Sequence, residues 1–185
     1  MPILGIIASS WKSAGGDFES IATYTASGST DTITFSSIPS TYKHLQIRFI
    51  ARGNAATANN VVNIRANGDT GSNYAYHDLE GDGSSASAYG TSAQTLIYGS
   101  IIALGSASSN VMGAQIIDLL DYASTNKTKT FRIMGAYDNN GSGQLRFGSG
   151  LWNSTSAVTS ISLICQGSGN TFNSASTFAL YGIKG

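Results

Sequence analysis

The chain has 185 residues, room for one domain with a sizeable core, or one domain plus an arm. Ten basic residues balance ten acidic ones, charged residues make up only 11% of the chain, and Ser, Thr, Asn and Gly together supply 80 of the 185 positions, so the surface is built of hydroxyls and amides rather than ions. No Lys/Arg cluster gives a nucleic-acid backbone anything to bind, the longest apolar stretches, such as Leu96 to Leu104, are too short and interrupted to span a bilayer, and 10% aromatic residues with many Ile and Leu argue against disorder.

Residues 1–17 differ in character from the rest of the chain. An apolar run from Ile3 to Ile7 leads into small residues and Trp11, with no basic stretch before it to make a secretion signal. The segment reads as an arm outside the domain of residues 18–185. Ile3, Leu4, Ile6, Ile7 and Trp11 are its candidate assembly contacts; the alternative is that they cover one end of their own domain.

Beyond the arm, a period of two dominates. Phe18 to Thr25 and Thr32 to Phe35 read as short strands. From Tyr42 to Arg52, Leu45, Ile47, Phe49 and Ala51 alternate with His44, Gln46, Arg48 and Ile50, a long strand with one buried face. Val62 and Ile64 continue the pattern, followed by candidates at Tyr74 to Leu79 and Thr95 to Ile102. Val111 to Tyr122 could be helical from its Ile and Leu spacing, but interior Gly113 and the absence of a capping box favour a strand. Thr130 to Tyr137, Gln144 to Phe147, Ile161 to Cys165 and Phe178 to Leu180 complete the series. Gly-, Asn- and Ser-rich turns separate them, among them Glu80 to Ser85 and Asp138 to Gly143. Short, regularly spaced strands with almost no helix predict an all-β fold: an antiparallel β-sandwich, jelly-roll-like, preceded by the arm. Leu45, Ile47, Phe49, Ile133, Leu163 and Phe178 are its expected core.

Little in this pattern offers chemistry. Asp78 and Glu80 share one strand face and His77 the other, which reads as a solvated strand end rather than an acid–base pair. Asp138 to Ser142 resembles the start of a calcium loop but lacks its later glutamate, so a hairpin turn is expected. Ser149, between Gly148 and Gly150, has no strand–helix setting for a nucleophile. The single cysteine, Cys165, excludes an internal disulfide and reads as a core thiol. No catalytic residue, metal site or cofactor is expected. Trp152, Tyr76 and Tyr89 stand among amide and hydroxyl neighbours and could stack on a glycan, or fill the core or an interface instead.

Longer stretches carry a resemblance. LGIIASS (Leu4 to Ser10), DFESIATYTASGSTDTITFSSIPSTYKHLQIRFIAR (Asp17 to Arg52), IIDLLDYASTNKTKTFRIMGAYDNNGSG (Ile116 to Gly143), GLWNSTSAVTSISL (Gly150 to Leu163) and STFALYGIKG (Ser176 to Gly185) together span nearly the whole chain. In them the chain resembles a group of small virion structural proteins of tailed bacteriophages; IPSTYKHLQIR and FALYGIKG are the most specific parts. The resemblance implies a non-enzymatic component of the outer surface of the phage particle. Its partners would be the major capsid protein or tail components. Two placements are open: a decoration (cement) protein on the head, or a tail or baseplate protein binding host-surface glycans. A wall or glycan hydrolase lacks a convincing carboxylate pair. The nearly uncharged, aromatic-bearing surface further predicts a small symmetric oligomer, such as a homotrimer, with neither nucleic acid nor membrane as partner.

Overall fold

The computed structural model describes residues 16–56 and 61–185; the candidate arm contacts Ile3, Leu4, Ile6, Ile7 and Trp11 lie outside them. The described chain is all strand and turn, with no helix. Its twelve strands are Phe18–Thr25 (β1), Thr32–Phe35 (β2), His44–Ala51 (β3), Val61–Ala66 (β4), Tyr74–Gly81 (β5), Ala86–Gln94 (β6), Ile97–Ile101 (β7), Gly113–Leu120 (β8), Lys129–Asp138 (β9), Gly143–Trp152 (β10), Ile161–Cys165 (β11) and Thr177–Ile183 (β12). They form two antiparallel sheets, an eight-stranded one ordered β1-β12-β3-β8-β9-β10-β5-β6 and a four-stranded one ordered β2-β11-β4-β7. Eight of the eleven connections pass from one sheet to the other, as in a β-sandwich; the other three are the β5–β6, β8–β9 and β9–β10 hairpins.

The core is the one expected. Leu45, Ile47 and Phe49 on β3, Ile133 on β9, Leu163 on β11 and Phe178 on β12 are all buried between the sheets. Phe49 stacks on Phe178 at 5.1 Å between ring centroids, and Phe172 meets Phe178 edge-on at 4.9 Å. Gly113–Leu120 is a strand, in keeping with its glycine and missing cap: Gln115, Ile117 and Leu119 point inward and Ala114, Ile116 and Leu120 outward. Burial pushes the Cys165 thiol up to about 11, as befits an inert core sulfur. Strand β6 has no counterpart among the sequence-based elements; its small, polar ASAYGTSAQ gives no apolar alternation, and it sits at an exposed sheet edge.

Two glycines set how the sheets meet. A Cβ on Gly150 of β10 would strike the side chain of Ile97, and one on Gly135 of β9 would strike Gln115 and Ser100. Strand β7 therefore settles closely over β9 and β10 and reaches only the margin of β5. The connection from β7 to β8 is held from behind by Arg52, whose guanidinium donates to the carbonyls of Gly105, Ala107, Ser108 and Val111.

Carboxylates tie down the turns. Asp69 accepts the Trp152 indole N–H at 2.8 Å, the Asn73 amide and the Gly71 backbone N–H. Asp82 accepts the backbone N–H groups and hydroxyls of Ser84 and Ser85, closing the β5–β6 hairpin. Asp121 lies between Lys127 and Lys43. Asp138 caps its own hairpin through the Gly141 N–H, so the calcium-like run is a turn.

Replacing Phe49 with Ala should cost about 3–5 kcal/mol in denaturant unfolding, through lost burial and the cavity left behind. Its outward neighbour Ile50, changed to Ala, should stay within about 0.5 kcal/mol. Equal effects would mean that the strand faces are reversed.

A pH dependence arises from the same carboxylates. The Trp152 indole holds Asp69 below the usual carboxylate range, and Lys127, then Lys43, hold Asp121 down at about 2. A lowered folded-state pKa contributes stability above the unfolded value, near 3.8, that is lost as pH falls through the folded one. The melting temperature should therefore fall between about pH 4 and pH 2, and Asp121→Asn should flatten that fall.

Candidate functional site

The inner face of the large sheet extends beyond its smaller partner. Past β7, the inward side chains of β5 and β6 have no strand above them, and there tyrosines and charged residues take the place of the aliphatic and phenylalanine side chains that fill most of the inner face. In sequence β5 runs Tyr-Ala-Tyr-His-Asp-Leu-Glu, so Tyr74, Tyr76, Asp78 and Glu80 share the inward face and Ala75, His77 and Leu79 the outward one. Register places Arg146 of β10 opposite Glu80, and Asp78 opposite Tyr89 of β6.

Arg146, 2% exposed, is the centre of the cluster. Its Nη2 donates to Asp78 Oδ2 at 2.6 Å, and its Nη1 lies 3.2 Å from Glu80 Oε1. The guanidinium lies over the Tyr98 ring, 4.1 Å from the centroid, and Tyr98 in turn stacks on Tyr76 at 5.7 Å. Glu80 also accepts from the Gln144 amide. Among the described residues, Arg146 Nε and Asp78 Oδ1 are buried without a hydrogen-bond partner, and Nη1 has only its ion-pair contact with Glu80. Tyr76, Tyr89, Tyr98, Glu80 and Arg146 enclose a recess of about 290 Å³. Burial raises the Tyr76 hydroxyl above its usual range. Tyr89 is its outer wall, 55% exposed on the edge strand.

This arrangement corrects two expectations. Asp78 and Glu80 do share a face, but it is the inward one: the pair is no solvated strand end, because a buried cation holds it. Trp152 offers no surface for stacking. It is 3% exposed, packed in the core with its N–H given to Asp69. Of the three aromatic candidates, only Tyr76 and Tyr89 come together, and Tyr98 and Arg146 join them. Tyr98 is visible in the sequence as a tyrosine among Gly and Ser. Arg146 is not, because a lone Arg between Leu145 and Phe147 reads as a surface charge.

Elsewhere the candidates stay apart. Ser149 lies opposite His77 on the outward face, but Asp78 points to the other side of the sheet and cannot orient the imidazole. Among the described residues no group of three or more His, Cys, Asp or Glu is gathered to hold a metal ion. Lys129 is buried, its ammonium given to the carbonyls of Ser124, Lys127 and Thr155. That is an anchor for the loops around it.

A second surface lies on the outward face of the same sheet. Register aligns Ile116, Met134, Phe147, Leu79 and Ala88 in one row across β8, β9, β10, β5 and β6, and Ile50, Ala114, Ala136 and Leu145 in the next row across β3 to β10. Phe147 is 51% and Leu79 58% exposed, with Ile50, Met134 and Leu145 close to these values. One end of the belt sinks into an open groove of about 710 Å³ between Ile50, Ile116, Met134, Leu145 and Tyr181. On the other side runs a polar row, Gln46, Asp118, Arg132, Ser149 and His77, in which Asp118 takes both the Gln46 amide and the Arg132 guanidinium.

Comparison with protein-family models, with curated proteins and with solved structures gives no match to the chain.

Changing Arg146 to Leu should cost about 3–5 kcal/mol, because Asp78 would stay buried without its partner. Removing both in an Asp78→Leu, Arg146→Leu variant should recover much of that loss. A double variant as unstable as the sum of the singles would show that the ion pair is not the unit.

Proposed function

We propose that this chain is a non-enzymatic structural protein of a tailed-bacteriophage virion, bound as a decoration (cement) protein to the outside of the head. The observation that carries the reading is the apolar belt on the outward face of the large sheet. A half-exposed Phe, Met and three large aliphatics in two adjoining rows form a contiguous apolar patch, and such a patch rimmed by polar residues marks a contact. The resemblance to small virion proteins supports a phage particle as the setting. On this reading the belt seats on the major capsid protein or on neighbouring copies in a small oligomer such as a homotrimer. The arm residues Ile3, Leu4, Ile6, Ile7 and Trp11 serve as a second anchor.

A tail or baseplate placement, with binding of host glycans, is the second reading. It is favoured by the open tyrosine recess on the inward face. Copy number separates the two. Band intensities of purified virions should give hundreds of copies per particle for a head protein, against a few to tens for a tail protein.

Charge placed on the belt tests the docking itself. Met134→Asp and Phe147→Asp, both at exposed positions, should leave the isolated domain folded by circular dichroism and abolish incorporation into particles. Normal incorporation of both variants would remove the belt from the interface.

A further inference from the structure

We propose that the recess between Tyr76, Tyr89 and Tyr98 is a binding site for a neutral sugar ring, held against Arg146 and Glu80. The site gives the glycan-binding reading, on which it rests, its ligand class, and it is compatible with either placement on a particle. The recess opens on the opposite face of the sheet from the apolar belt, so a chain docked through the belt keeps it free.

The case is one of charge and shape. Three tyrosines at one mouth, two of them stacked on each other, provide flat apolar walls with polar tips. A cationic guest, which such a cage would otherwise suit, is excluded because the protein's own guanidinium already occupies the Tyr98 face at 4.1 Å. An anionic guest is excluded because Asp78 and Glu80 flank that guanidinium, leaving the trio with a net negative charge. A neutral polyol meets both conditions. Each hydroxyl can donate to a carboxylate and accept from an N–H, and Arg146, which lines the recess beside Glu80, keeps its buried Nε without a hydrogen-bond partner among the described residues. The C–H face of a sugar ring stacks on tyrosine, and a recess of about 290 Å³ has room for one such ring. Arg146 is fixed by its ion pair before any ligand arrives, so little ordering is needed on binding.

The test is an isotope-labelled titration of the full chain, followed by the side-chain signals of the three tyrosines and Arg146. Methyl glucoside, methyl galactoside, N-acetylglucosamine and short neutral oligosaccharides are the probes, each to about 50 mM, with choline chloride and sodium acetate in parallel. At least one neutral sugar should move these signals with a dissociation constant in the millimolar range or tighter. Tyr89→Ala, at an exposed position, should weaken that sugar about tenfold or more without changing the melting temperature, and Glu80→Gln should weaken it too. The proposal is overturned if no neutral sugar moves these signals, if choline or acetate does so in their place, or if Tyr89→Ala leaves the sugar's affinity unchanged. Because the isolated chain is used, failure here would leave the belt and its docking untouched.

Discussion

A four-stranded sheet lies over an eight-stranded one, and the rest of the molecule depends on that mismatch. A sheet buries one face by pressing it against another element. Here Gly135 and Gly150 let β7, the edge strand of the small sheet, approach β9 and β10 closely. The apolar core stops at the same line. Beyond it β5 and β6 finish their inner face without a partner strand, and together with the end of β10 they do so with tyrosines, two carboxylates and an arginine.

Burying that arginine is costly in itself, since an ion moved out of water loses several kcal/mol of hydration. The cost is offset by Asp78, by the Tyr98 ring and partly by Glu80. Hydrophobic residues of similar volume would serve stability as well or better. What the ionic arrangement adds is a rigid, polar floor under an aromatic recess. The two faces of one sheet thus do different things: apolar and flat outward, polar and concave inward.

How much of this could be read from the sequence depends on the strand. In β3 the alternation of Leu45, Ile47 and Phe49 with His44, Gln46 and Arg48 gives both the strand and its inner face, because one face is covered by sheet and the other by water. In β10 the same rule misleads. Leu145 and Phe147 alternate with Arg146, and it is Arg146 that points inward. A period of two shows that two faces differ, not which one is covered. The placement of Asp78 and Glu80 on one face is legible, but their burial is not, since it comes from a residue 68 positions away in the chain. Trp152 illustrates the reverse error: a polar loop after it suggests exposure, while the fold turns its ring inward and gives its N–H to Asp69. Edge strand β6 is invisible because its small residues carry no hydrophobic period at all.

The order of strands carries one more consequence. β1 pairs with β12, and β2 with β11, so each sheet joins the beginning of the domain to its end. Neither sheet can be completed until β11 and β12 have been made, and outside the three hairpins each pairing must close a long loop before it brings any stabilisation. Such a topology assembles slowly. It also comes apart slowly when folding and unfolding share a barrier made of the same distant pairings. With the last strand, β12, locked between β1 and β3, the domain resists peeling from its C-terminal end. A protein with the proposed place on a particle outside the cell would gain its durability from connectivity more than from the strength of any single bond.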